Sequence, residues 1–118
     1  MLIDVMDRNV TLDEGTLEWI ERRVHFALGR FVARIHRVAI MFEDINGPRG
    51  GIDQRCRVLI TLVPEGNVVI EDVDSTIETV TARAVDRAAR AVVRELERQR
   101  EYRGETERVS SLSRLLET

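Results

Sequence analysis

The stretch Ser75-Thr76-Ile77-Glu78-Thr79-Val80-Thr81-Ala82-Arg83-Ala84-Val85-Asp86-Arg87-Ala88-Ala89-Arg90-Ala91-Val92-Val93-Arg94-Glu95-Leu96-Glu97-Arg98-Gln99-Arg100-Glu101-Tyr102-Arg103 reads as one long helix. Arg83, Arg87, Arg90, Arg94 and Arg98 are spaced four, three, four and four residues apart. At about 100° per residue their side chains fall within an arc of roughly 80°. Ile77, Ala84, Ala88, Ala91 and Val92 recur at helical spacing on a different arc, the expected buried stripe. Ser75 and Glu78 stand at capping-box spacing, and Gly104 is the expected stop. Like charges three or four apart on a helix cost about 0.2–0.5 kcal/mol per pair. Asp86, Glu95, Glu97 and Glu101 relieve part of that cost from flanking positions. The rail is therefore either an arginine-rich solvated face or a surface for a polyanion such as nucleic-acid phosphates.

Working outward from this helix, the preceding segment alternates. Arg37–Asp44, Gln54–Val63 and Val68–Val73 read as strands. Val38, Ile40 and Phe42, then Cys56, Val58, Ile60 and Leu62, face inward, while Arg55 and Arg57 point the other way. The turn-rich run Ile45–Gly51 and the compact Pro64-Glu65-Gly66-Asn67 link these strands. Upstream, Met1–Met6 alternates as a first strand and Asp7-Arg8-Asn9 turns. Thr11 with Glu14 makes a second capping-box match, opening a helix to about Arg30. Leu17, Ile20, Val24, Ala27, Leu28 and Phe31 form its apolar stripe; Arg22, Arg23 and Arg30 lie away from it.

The order β-α-β-β-β-α gives an α+β, two-layer domain. Two helices are too few to cover both faces of a four-stranded sheet, so they should share one face and leave the other open. That open face should carry Leu2, Met6, Met41, Arg55, Arg57, Leu59 and Val69, a mixed surface capable of self-association. Residues 1–103 are expected to form the single domain. Residues 104–118 are expected to be a flexible tail, since Val109, Leu112, Leu115 and Leu116 make only a marginal apolar helix face alone.

Length and charge bound the rest. A chain of 118 residues is one domain by the usual prior. The net charge of −3 argues against a generic nucleic-acid coat, so distribution of charge decides the matter. All 18 basic residues are arginine, so every cationic contact is a planar fork suited to phosphate. No run of eighteen apolar residues is present and the N-terminus lacks a secretory pattern; the cytoplasm is the expected compartment and no membrane contact is expected. The lone Cys56 suits a reducing compartment and reads as a small buried hydrophobe.

His25 and His36 have no matching ligand spacing, and no catalytic motif is present. The expectation is no enzyme, no metal and no cofactor. Gly47, Gly50 and Gly51 around Arg49 could cradle a phosphate or simply satisfy a flexible link.

The opening Asp7-Arg8-Asn9-Val10-Thr11-Leu12, the segment Ala84-Val85-Asp86-Arg87 and the element order resemble the ribosome hibernation-promoting factor and protein Y family, also called sigma modulation proteins. The run Asn46-Gly47-Pro48-Arg49-Gly50-Gly51-Ile52-Asp53-Gln54-Arg55-Cys56-Arg57 is similar to a branch of that family. The resemblance covers residues 1 to about 103 and is to the short form, without the dimerisation domain of longer relatives. It implies a fold similar to double-stranded-RNA-binding domains. It also implies binding to small-subunit ribosomal RNA in the channel used by messenger and transfer RNA, with translation blocked in resting or stressed cells. By position, Arg23, Arg87, Arg90 and Arg94 match the family's RNA-touching residues; Arg22, Arg30, Arg83 and Arg98 extend that surface. Arg49, Arg55 and Arg57 complete the candidate RNA-binding set. Family members of the ribosome-binding type are usually strongly basic, often lysine-rich, whereas this chain is net acidic and has no lysine. The chain is expected to be a monomer or weak homodimer; the alternative function is a regulatory protein-interaction module of the same fold that self-associates or binds a protein through its open sheet face.

Overall fold

The computed structural model describes residues 1–46 and 53–117; beyond Gly104 it describes the backbone with the side chains of Leu112, Leu115 and Leu116. Strand β1 (Leu2–Arg8) leads through Asn9, whose φ of 62° is tolerated by its short polar side chain, into helix α1 (Glu14–Leu28). A 3-10 turn (Gly29–Arg34) follows, then β2 (Ile35–Asp44), β3 (Gln54–Leu62), β4 (Asn67–Asp74) and helix α2 (Ile77–Glu117).

The four strands lie in chain order, β1 parallel to β2 and the other neighbours antiparallel. Alternation along β2 and β3 buries Val38, Ile40 and Phe42 with Cys56, Val58, Ile60 and Leu62. Against them pack Ile20, Val24 and Leu28 of α1 and Val80, Ala84, Val85, Ala88 and Val92 of α2. Full burial of each larger apolar side chain contributes about 1.5–3 kcal/mol. Both helices therefore cover one face. The other carries Leu2, Met6, Leu59, Val69 and Val73, each between 39% and 52% exposed, with half-buried Met41.

Three local readings are corrected. The α1 cap is Asp13, not Thr11: its carboxylate accepts from Thr16 N at 2.7 Å. The α2 cap is Thr76, not Ser75: its hydroxyl accepts from Thr79 N at 3.2 Å. Gly104 does not end α2, which runs on to Glu117. A glycine inside a helix costs only about 1 kcal/mol relative to alanine, and no proline follows it. The long helix stretches the molecule to 71 × 26 × 17 Å.

The turn between β3 and β4 is locked to α2. Arg34 donates to Val63 O at 2.8 Å and to Gln99 Oε1 at 3.0 Å, and Gln99 Nε2 donates to Glu65 O at 3.0 Å. Gly66, at φ 102°, lies under Gln99 where any side chain would collide.

Candidate nucleic-acid interface

The arginines of the α2 rail divide by what lies beside them. Strand β4 alternates so that Asp72 and Asp74 share the helix-covered side with Val68. Arg83 consequently meets Asp72 at 2.7 and 2.8 Å, Asp74 at 2.9 Å and the Val73 carbonyl at 2.8 Å. Arg87 donates to Asp72 and to the Glu71 carbonyl, both at 3.1 Å. The Arg83 hydrogen bond, aided by those from the Val73 amide and Arg87, pulls the Asp72 carboxyl down to about 2. Further along, Arg98 holds Glu95 at 2.6 and 3.0 Å, which lowers that carboxyl to about 2 as well. Arg83, Arg87 and Arg98 are thus partnered cations, not the free ridge that their spacing suggested. Arg90 and Arg94 are exposed and make no ion pair among the described residues.

Helix α1 brings a second set beside those two. Arg23 is half-buried and donates both to Asp86 Oδ1 at 3.2 Å and to Oδ2 at 3.0 Å, tying α1 to α2. Arg22 is exposed one turn before Phe26, and Arg30 is exposed four residues after it. The Arg30 guanidinium carbon lies 4.6 Å from the Phe31 ring centroid, a contact that favours a cation without neutralising it. Arg30 and Arg90 line one shallow cleft of about 320 Å³ with Phe26, Ala27, Asp86 and Ala89. The helix-to-helix groove therefore brings together Arg30 and Arg90, with Arg23 tied to its Asp86 wall; Arg22 and Arg94 are exposed one turn further along their own helices.

The remaining candidates lie elsewhere. Arg55 and Arg57 stand on the open sheet face, opposite the helices. Arg55 meets Glu71 at 3.2 Å and Glu43 at 3.5 Å, whereas Arg57 is exposed with no ion pair among the described residues. Arg49 and the glycines around it lie outside the described residues.

Sequence reasoning missed Phe26, which is 83% exposed. Its signal was available, since it falls about 200° from Val24 and so off the buried stripe. The β4 acids were also readable, from their shared parity with Val68.

Elsewhere, burial pushes the Cys56 thiol up to about 12, consistent with an inert core residue. Among the described residues, no cluster of His, Cys, Asp or Glu could hold a metal ion, and no helix is long and apolar enough to cross a membrane.

The fold has counterparts among solved structures. The protein Y N-terminal domain of Thermus thermophilus superposes with a TM-score of 0.66 at 22% identity, covering 80% of this chain and 98% of that one. A ribosomal subunit interface protein from Coxiella burnetii gives 0.59 at 14% identity, covering 86% and 99%. At such identities the likeness is one of fold. No curated protein sequence matches. Residues 3–100 match the family described as Sigma 54 modulation protein / S30EA ribosomal protein, and the chain belongs to this family of ribosome-associated, non-enzymatic factors.

Proposed function

We propose that the chain binds ribosomal RNA of the small ribosomal subunit through the groove between α1 and α2, and that it inhibits translation in resting or stressed cells. One observation carries the reading: Arg22 of α1, Arg30 of the 3-10 turn after it, and Arg90 and Arg94 of α2 are exposed with no acidic partner among the described residues. Planar forks take phosphate oxygens in pairs, and each neutralised phosphate releases counterions. Recognition of this kind follows backbone shape and needs no base readout. The overall charge of −3 does not oppose it, because Asp72, Asp74, Asp86 and Glu95 are each engaged by an arginine of the same chain. In this reading residues 1–103 are the docking unit and 104–118 an appendage to it.

The test is co-sedimentation with purified small subunits across a salt series. Four phosphate contacts predict an affinity loss of about 100-fold between 50 and 200 mM salt. Arg90→Glu combined with Arg94→Glu should abolish most binding and flatten that dependence. Unaltered co-sedimentation of the double variant would sink the proposal.

A second reading is a regulatory module that self-associates or binds a protein through its open sheet face. It is favoured by the exposed row Leu2, Met6, Leu59, Val69 and Val73. Dimerisation that persists unchanged in high salt would support it over RNA docking.

A further inference from the structure

Among the described large apolar side chains Phe26 is exceeded in exposure only by Leu116, near the far end of α2. A lone exposed apolar residue needs no explanation, but the surroundings of this one are specific. Arg22 and Arg23 stand four and three residues before it on α1, and Arg30, in the 3-10 turn that follows, lines the same cleft as the ring. The Arg23 guanidinium carbon is 5.8 Å from the ring centroid. Both carboxylate oxygens of Asp86 accept from Nη2 of that guanidinium, which tethers the cation beside the ring. On the α2 side the ring walls the cleft whose other lining is Ala27, Arg30, Asp86, Ala89 and Arg90. Two alanines keep that cleft shallow and open.

An aromatic ring flanked by Arg22 and Arg30, which make no ion pair among the described residues, matches a flat, electron-rich group carrying an anion. A nucleotide has both parts. Duplex RNA hides its base faces within the stack, whereas an unpaired stretch offers them. We propose that Phe26 is a stacking platform for an unpaired RNA base, with the flanking phosphates taken by Arg22, Arg30 and Arg90. This rests on the docking reading above and narrows its ligand to single-stranded RNA at that groove.

The probe is a short oligoribonucleotide carrying one 2-aminopurine, compared single-stranded and as a duplex, alongside small-subunit co-sedimentation. The wild-type chain should quench the 2-aminopurine and prefer the single strand. Phe26→Ala should weaken binding about tenfold and remove the quenching. The slope of log affinity against log salt should stay the same, because no phosphate contact is lost. Phe26→Trp should restore both signals, and Phe26→Leu, apolar but not aromatic, should not. Phe26 is exposed, so these variants should melt with the wild-type chain. If Phe26→Leu or Phe26→Ala binds and quenches like wild type while Arg90→Glu with Arg94→Glu fails to bind, the platform is wrong and the docking reading stands. If neither variant alters binding to small subunits, the docking reading itself is wrong and the platform goes with it.

Discussion

Asp72 faces two guanidinium groups at once, Arg83 and Arg87, and is only 13% exposed, whereas its partners are 43–44% exposed. Its carboxyl is held at about 2 in the folded chain, below the ordinary 3.8. A depressed folded value stabilises above the unfolded value, and the contribution is lost as pH falls from about 4 toward 2. Solvent screening of the exposed partners limits it to about 1 kcal/mol at neutral pH. Asp72→Asn should therefore lower the thermal midpoint by about 4 °C at pH 7. Melts near pH 2 should close most of the gap between variant and wild type; a gap that persists undiminished there would mean the effect is not the carboxylate's charge. At this scale the sequence was only partly legible. Arginine spacing along α2 was plain, but which arginines stay free depends on β4 parity and on Asp86 reaching across to α1. Both are tertiary facts, so a periodicity confined to one helix could not sort them.

The elements themselves were written more clearly. Alternation in β2 and β3 and the apolar stripes of both helices follow from burial on one face, and the strands appear within two residues of where that pattern put them, β1 running on to Arg8 through two residues read as turn because its pairing with β2 continues. The helix starts were misjudged by one or two residues for a definite reason. Thr11-Leu12-Asp13 and Asp74-Ser75-Thr76 each offer several competent capping side chains, and neighbouring backbone geometry selects among them. The clamp from Arg34 through Gln99 to Glu65 had no sequence signal, because its members lie in three separate segments. It makes the β3–β4 turn sensitive to a single methyl group. A Cβ at Gly66 would stand 2.7 Å from Gln99 Nε2 and 3.3 Å from Glu95 Oε1, at a φ that side-chain-bearing residues rarely adopt. Gly66→Ala should cost about 1–3 kcal/mol in chemical denaturation. Adding Gln99→Ala should relieve the steric part, so the double variant should be less destabilised than the sum of the singles. Strict additivity would show that Gln99 is not the obstacle.

Over the whole molecule, cation placement matters more than the total. The chain is anionic overall, yet Arg30 and Arg90, which make no ion pair among the described residues, meet in one cleft because nearby acids are engaged at the β4 edge and between the helices. The α2 extension stands apart from this body. Leu112, Leu115 and Leu116 are 60–87% exposed, so little apolar surface there supports the core. Truncation after Gly104 should leave the melting midpoint within about 2 °C of the full chain, since among the described residues the last buried one of α2 is Gln99. A drop of 10 °C would reveal that the extension is part of the folding unit.

The same uninterrupted helix fixes a bearing as well as a length. Leu112 follows Arg94 by about five whole turns, so the two point the same way, about 27 Å apart. A partner gripped by guanidinium at the near end is offered leucine along the same line of sight at the far end, like two teeth cut on one key. Adding or removing one residue between them would swing the far tooth by about 100°, uncoupling the pair without altering either.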